Sequence, residues 1–374
     1  MSATGYERCE SAVYGRRISR AAELTAQAGL DAVIVSPGPD LRYLTGSRAD
    51  TFERLTALVI SADAPARLVV ARLERASVRD SAIEELGIEV TDWVDGEDPH
   101  SLVLAGLPRT SRIAVSEAMP ALHVLPLADR VGATPQLATS VLRELRMIKD
   151  DTEIAALRRA GAAIDRVQAR MGEWLRPGRT EREIAADIGA AIVEEGHTAA
   201  EFIIVGSGPN GADPHHEFSD RIVDAADIVV IDIGGPVEPG YNSDTTRTYC
   251  FTPPNAEIAD AYAALELAQK TAVAAVRPGV TAAQVDAAAR DVLVQAGFGD
   301  NFIHRTGHGI GLSVHEEPYI VSGNSLQLVP GMAFSIEPGV YFPGRWGARI
   351  EDIVVVTADG CETLNNRPHE LIVL

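Results

Sequence analysis

The chain reads as an α/β (α+β) protein of two domains, an α/β layer domain over residues 1–140 followed by a duplicated α+β domain over residues 141–374. Three observations predict this. At 374 residues the chain exceeds what a single hydrophobic core usually serves. Its composition, 46% hydrophobic and 23% charged, is that of an ordinary globular protein. The second part carries one unit written twice: Arg176-Pro177-Gly178-Arg179-Thr180, a helical stretch and Glu195-Gly196 are answered by Arg277-Pro278-Gly279-Val280-Thr281, a helical stretch and Ala296-Gly297.

The elements follow in order. A helix over Tyr14–Ala28 is stopped by Gly29, and Ala32-Val33-Ile34-Val35 is a short apolar run before Pro37-Gly38-Pro39, the pattern of a buried strand. Leu55–Ile60 and Arg67–Ala71 read as further strands, and a helix is expected near Ala76–Leu86. The crossing between domains falls in 137–151, where Val141–Met147 is helical and Thr152 with Glu153 opens a long helix over Asp151–Trp174. Helices over Glu181–Glu195, Asn255–Val276 and Ala282–Gln295 then alternate with strands in both copies, without a low-complexity segment or long linker.

Charge narrows the function. The formal net charge of -20 is uneven, with net -4 on residues 1–150 and net -16 on 151–374. An acidic second half argues against nucleic acid as a partner, because phosphate binding needs a basic face. Cys9, Cys250 and Cys361 are isolated and odd in number, which favours free thiols in a reducing cytoplasm over a disulfide framework. Met1–Glu10 contains acids and no apolar core, so no signal peptide is expected, and no run of 18 apolar residues predicts a membrane span. Only two lysines, Lys149 and Lys270, stand against 31 arginines.

The repeat also duplicates acids. Phe202-Ile203 is answered by Phe302-Ile303 and His215 by His315. The next apolar strand carries Asp232 in the first copy and Glu337 in the second, and a further acid follows in each, Asp244 and Glu351. One acid in an apolar strand is ordinarily an edge residue or an arginine partner. Its repetition is what points to a site, because duplicated units that pack about a pseudo-twofold axis would bring four carboxylates into one pocket. Four clustered carboxylates cannot all stay ionised cheaply, and two divalent cations would balance them. His308, between Gly307 and Gly309, is the best-placed nitrogen ligand, with glycines that would let backbone and metal approach closely. A set of Asp232, Asp244, His308, Glu337 and Glu351 is oxygen-rich and suits Mn²⁺, while tolerating Co²⁺, Fe²⁺ or Zn²⁺.

These residues carry a family resemblance. Segments 229–249, 304–318, 331–339 and 349–352 resemble the signature stretches of the pita-bread metallopeptidases, closest to the Xaa-Pro dipeptidases (prolidases) and aminopeptidase P, and over the whole length to actinobacterial Xaa-Pro dipeptidases. Asp40-Leu41-Arg42-Tyr43-Leu44-Thr45-Gly46 resembles the creatinase/prolidase type of leading domain. The resemblance implies that Glu337 is general base and acid as well as metal ligand, that His315 and His215 contact the substrate carbonyl and its oxyanion, and that His304 is a third active-site histidine. Arg349, on the strand face of Glu351, would partner that acid or bind substrate, and Asp352 would point away. One departure stands out: Asp232 and Asp244 are 12 apart, where the family commonly has 11. The extra residue is expected in the turn 236–240; were it not absorbed there, Asp244 would face the wrong side.

Two metals about 3.5–4 Å apart would bridge a water and lower its pKa to roughly 7, giving a nucleophile for a peptide carbonyl. The leaving nitrogen of an Xaa-Pro bond is an imide without a hydrogen, so a dedicated pocket is needed. The expected activity is hydrolysis of short proline-containing peptides, dipeptides preferred. Aminopeptidase P activity on longer Xaa-Pro peptides is the alternative. A creatinase-type amidinohydrolase works without metal, a non-catalytic binding protein usually lacks ligand residues, and methionine aminopeptidases normally lack this leading domain. A homodimer is what the resemblance implies.

Overall fold

The computed structural model describes residues 7–50 and 53–374. Of the acidic opening Met1–Glu10, the first six residues lie outside the described residues. Two compact units divide at Met1–Arg146 and Met147–Leu374. The division falls six residues later than the boundary drawn at 140/141. The reason is that the helix ending at Arg146 is tied into the first unit, where Leu145 O accepts from Tyr43 OH (2.7 Å) and Arg146 pairs with Asp40 (2.6 Å).

The first unit runs α1 (Ser11–Gln27), β1 (Ala32–Val35), α2 (Pro39–Thr45), β2 (Ala57–Ser61), β3 (Arg67–Ala71), β4 (Glu89–Trp93), α3 (Pro99–Val103), β5 (Ile113–Val115), α4 (Ala121–Val131), β6 (Gln136–Leu137) and α5 (Thr139–Arg146). Its six strands form one mixed sheet in the order β4-β3-β2-β1-β5-β6. The apolar run Ala32–Val35 is buried along its whole length, as a strand covered on both faces must be. The Asp40–Gly46 motif forms α2, closed by Gly46 at φ 74, and Arg17 stacks on Tyr43 at 3.9 Å. The expected helix over Ala76–Leu86 is absent. Arg72–Val78 is a 3₁₀ stretch followed by turns, because the Ser77 and Ser81 hydroxyls donate to the carbonyls of Glu74 and Val78 and compete with an α-helical ladder.

The second unit runs α6 (Asp151–Ala169), α7 (Glu181–Glu194), β7 (Phe202–Ser207), β8 (Ile228–Val237), β9 (Tyr241–Cys250), α8 (Ala256–Ala275), α9 (Ala282–Gln295), β10 (Gly307–Gly309), β11 (Glu316–Ile320), β12 (Ala333–Ile336), β13 (Gly339–Phe342), β14 (Trp346–Arg349), β15 (Asp352–Val356), β16 (Cys361–Thr363) and β17 (Ile372–Val373). The long helix expected to reach Trp174 ends at Ala169 and finishes as a 3₁₀ turn.

The duplication is visible in detail. Thr180 with Glu183 and Thr281 with Gln284 form matching capping boxes on α7 and α9, each satisfying two orphan backbone donors. The sheets run β17-β9-β8-β7 and β11-β10-β12-β15-β16, so β7-β8-β9 is repeated by β10-β12-β15. The copies differ at two joins: β11 lies between β10 and β12 where no strand separates β7 from β8, and β8 turns directly into β9, whereas the β13–β14 hairpin is inserted between β12 and β15. Each copy has its own apolar core, around Ile188, Ile231 and Tyr249 in the first and Leu265, Phe334 and Ile350 in the second. Hydrogen bonds from β9 to the chain entering β15 join the copies, with Glu351 N donating to Thr246 O (3.1 Å) and Arg247 Nη1 to Glu351 O (2.6 Å).

Candidate active site

Asp232 and Asp244 stand on the β8–β9 hairpin. The ladder pairs Asp232 with Thr246 and Gly234 with Asp244 without a shift, so the two acids project from one face of the sheet. The residue added by the 12-residue spacing is taken up in the loop Glu238-Pro239-Gly240, where Gly240 has φ 117. Asp244 therefore faces the site. In the second copy Glu337 follows β12 and Glu351 precedes β15, directly beyond the pair Ile336 and Asp352. Thr246 Oγ1 donates to Glu351 Oε2 (2.8 Å), fixing that carboxylate against β9.

His308 comes from the short strand β10. Its flanking glycines serve the sheet rather than a metal: a Cβ on Gly307 would meet Ser335 O at 1.8 Å, and one on Gly309 would meet Glu317 O at 2.2 Å. Both neighbouring strands close on a bare backbone here. The His308 ring is oriented by Nδ1, which lies 3.1 Å from Gly309 O. A carbonyl only accepts, so Nδ1 carries the proton. Burial, with His315 second, pushes the ring down to about 3, so it is neutral and Nε2 holds a lone pair. That lone pair faces Glu337 Oε1 at 3.2 Å and Asp244 Oδ2 at 3.6 Å.

One ligand atom from each of Asp244, His308 and Glu351 lies within 4.8 Å of the others. Asp232 Oδ2 accepts from Arg349 Nη2 (2.6 Å), and its Oδ1 is buried with no hydrogen-bond partner among the described residues. Burial first, then the neighbouring acids Asp232 and Glu337, raises Asp244 well above the carboxylate range. Glu351 is raised by burial and by Asp244. Glu337 is pushed up to about 7, chiefly by burial, with Arg349 opposing. An orphaned carboxylate oxygen, a directed imidazole lone pair and three acids held above their range form a donor set short of positive charge. It fits divalent cations.

The other expected residues divide by their bonding. His315 packs its ring edge-on to His308, 4.0 Å between centroids, and His215 is exposed and lines the same cavity. His304 has both nitrogens engaged, Nδ1 with Arg305 O (2.7 Å) and Nε2 with Tyr341 OH (2.9 Å). Arg349 bonds Asp232, not Glu351, and also donates to Thr246 Oγ1 (3.1 Å) and Tyr341 OH (2.7 Å). Asp352 points away and is held by Arg247 (2.7 Å) and His369 (2.5 Å). All nine expected site residues line one cavity of about 730 Å³, together with Glu201, Phe202, Ile204, Pro214, Glu217, Arg305 and Val314.

Three contributors were not expected from sequence. Tyr341 links His304 to Arg349, and its only sequence trace is a glycine on either side of it in the hairpin: a Cβ on Gly339 or Gly347 would strike its ring. Glu181 is buried and accepts from Ser207, Asn210 and Ser219, and His216 also bonds it, so it organises the loop that carries His215. Lys149 is buried and pairs with Glu316 (2.6 Å), the residue after His315.

A two-unit α/β chain whose duplicated second half gathers acids around a neutral imidazole is a metal-dependent hydrolase in design. The chain belongs to metallopeptidase family M24, which it matches over residues 155–358, and residues 17–148 match the creatinase/prolidase N-terminal domain. It is a hydrolase of peptide bonds. A probable dipeptidase PepE of Mycobacterium tuberculosis is 62% identical over 373 residues, 99% of each chain. An Xaa-Pro dipeptidase of Lactobacillus helveticus is 35% identical over 353 residues, covering 92% of this chain and 95% of the relative. The crystal structure of dipeptidase PepE from Mycobacterium ulcerans superposes with a TM-score of 0.95 at 63% identity, covering 98% of this chain and 99% of that one.

Proposed function

We propose that the protein hydrolyses Xaa-Pro dipeptides with two divalent ions, Mn²⁺ fitting best, held by Asp232, Asp244, His308, Glu337 and Glu351. The observation that carries this reading is the neutral His308 Nε2 lone pair directed at the Glu337 and Asp244 carboxyls, three ligating groups that converge where a cation between them would be held. Bound ions would supply Lewis-acid activation of water and of the substrate carbonyl.

The side chains then have separable tasks. Glu337, held by Ser335 Oγ (3.0 Å), takes the proton from the attacking water and delivers it to the departing proline nitrogen, which has no hydrogen of its own. His315 and His215, which line the same cavity, donate to the oxygen that becomes negative as the carbonyl is attacked. His304, with both nitrogens taken, positions Tyr341 instead of transferring a proton. Arg349 is committed to Asp232, Thr246 and Tyr341, so its task is to hold a ligand acid rather than to bind substrate. The relatives named Xaa-Pro dipeptidase support the substrate class. A cytoplasmic setting and a homodimer belong to the same reading; three free cysteines fit a reducing compartment. No helix among the described residues is long and apolar enough to cross a membrane.

The test is hydrolysis of Ala-Pro, Pro-Ala and Ala-Pro-Ala by metal-stripped protein with and without Mn²⁺. Cleavage of Ala-Pro alone, only with metal, is the expected result. Preference for the tripeptide would move the activity to aminopeptidase P, and no cleavage with any divalent ion would refute hydrolysis of these bonds.

A further inference from the structure

His315 is exposed and lines the cavity, and among the described residues no hydrogen bond reaches either of its ring nitrogens. Its ring contact is the edge-on one with His308, 4.0 Å between centroids. Where the imidazole points is therefore set by the backbone that carries it. That backbone is the loop 310–315, which leaves β10 at Gly309 and rejoins the sheet where Glu316 pairs with Gly309. The first end of the loop is fixed by Ile310 N, which donates to Ala333 O (3.2 Å), and by Asn242, whose N and Nδ2 both donate to Gly311 O (2.9 and 3.0 Å).

The second end is fixed by an ion pair. The Glu316 carboxylate lies against the loop in the space that a Cβ on Gly311 would take, 2.7 Å from Oε1, and its Oε2 accepts from Ser313 N (3.5 Å). Lys149 Nζ donates to Glu316 Oε1 at 2.6 Å, with 1% of the lysine side chain and 10% of the glutamate side chain exposed. The lysine backbone is pinned in turn, its N donating to Gly331 O (2.8 Å) beside the bridge between Ile148 and Met332.

A buried ion pair adds little stability over apolar side chains of the same volume. What it adds is direction, because a charge-assisted hydrogen bond fixes the partner and its distance, whereas an apolar contact can slide. Direction matters at His315, since a donor stabilises an oxyanion only when aimed at the place where charge develops. We propose that Lys149 is a positioning residue for the reaction: through Glu316 it fixes the loop that aims His315 at the carbonyl oxygen. The inference rests on the oxyanion role given to His315 above.

The test is a cycle on Mn²⁺-loaded full-length protein: wild type, His315→Ala, the apolar pair Lys149→Met with Glu316→Leu, and all three changes together. Each is assayed for Ala-Pro hydrolysis, urea midpoint and metal content. The apolar pair should keep two Mn²⁺ per chain and most of the urea resistance, yet lose about tenfold to a hundredfold in kcat with KM little changed, as a small misplacement of a catalytic donor does. Added to His315→Ala, the same pair should cost less than about threefold, because the group it aims is gone. Glu316→Gln, which keeps an acceptor for Lys149, should lose less kcat than the apolar pair. Wild-type kcat in the apolar pair, a Glu316→Gln protein no faster than it, or equal losses with and without His315 would overturn the assignment alone. Unchanged kcat in His315→Ala would overturn the role of His315, and failure of wild type to cleave Ala-Pro the proposed activity, and this assignment would fall with either.

Discussion

Arg349 Nη2 donates to Asp232 Oδ2 at 2.6 Å, leaving Asp232 Oδ1 buried with no partner among the described residues. The arginine thus fixes one oxygen of a ligand acid and presents the other. Such outer contacts govern how well a preformed site takes up metal.

The first prediction concerns that contact. Arg349→Gln should weaken Mn²⁺ binding by about ten- to a hundredfold, the usual cost of losing a residue that orients a ligand. Calorimetric titration of stripped protein with Mn²⁺ measures it, and unchanged affinity would show that Asp232 needs no such support.

Tyr341→Phe tests the link from Arg349 to His304. It removes one hydroxyl that meets Arg349 Nη1 at 2.7 Å and His304 Nε2 at 2.9 Å, leaving two buried polar groups short of a partner at about 1–3 kcal/mol each. Stability to urea should fall and kcat should drop while two metal ions per chain are retained. An unchanged kcat would remove Tyr341 from the account.

The acids predict an opposed pH response of stripped and loaded protein. Glu337, Asp244 and Glu351 have folded pKa values above their unfolded ones, Glu337 at about 7, chiefly because of burial. Between the unfolded and folded values the native state holds more protons, so their contribution to stability is present at low pH and lost as pH rises through the raised values. The gap in urea midpoint between Mn²⁺-loaded and stripped protein should therefore widen from pH 5 to pH 7.5. A gap that narrows over this window would contradict the clustering of the acids.

Lys149→Met should be costly. It removes the buried ammonium that pairs with the half-buried Glu316, at a cost of up to about 3 kcal/mol, the low end for breaking an ion pair from one side, and the double change with Glu316→Leu should recover much of the loss. Denaturation of the two variants decides this; equal stability of K149M and wild type would contradict it.

How far the sequence reaches is seen in these same residues. The acids were legible because the chain states them twice at matching distances, and the capping boxes of α7 and α9 repeat the same logic. The division between units is hard to read from sequence because α5 is an ordinary amphipathic helix whose allegiance rests on long-range bonds to Asp40 and Tyr43. The missing helix near residue 80 was decided by serine hydroxyls that compete for backbone carbonyls. Tyr341, Glu181 and Lys149 act across 8 to 167 residues of sequence separation, where no periodicity signals a contact. The flanking glycines of His308 were visible, but what they approach, the backbone of Ser335 and Glu317, depends on strand order.

The most direct test of the account is the metal content of reconstituted protein, measured by elemental analysis beside Ala-Pro hydrolysis, for wild type, Asp244→Asn and Glu351→Gln. Two Mn²⁺ per wild-type chain, and a loss of both metal and activity in each variant, is the predicted result. Full activity in wild type without metal, or variants that keep both metal and turnover, would contradict it.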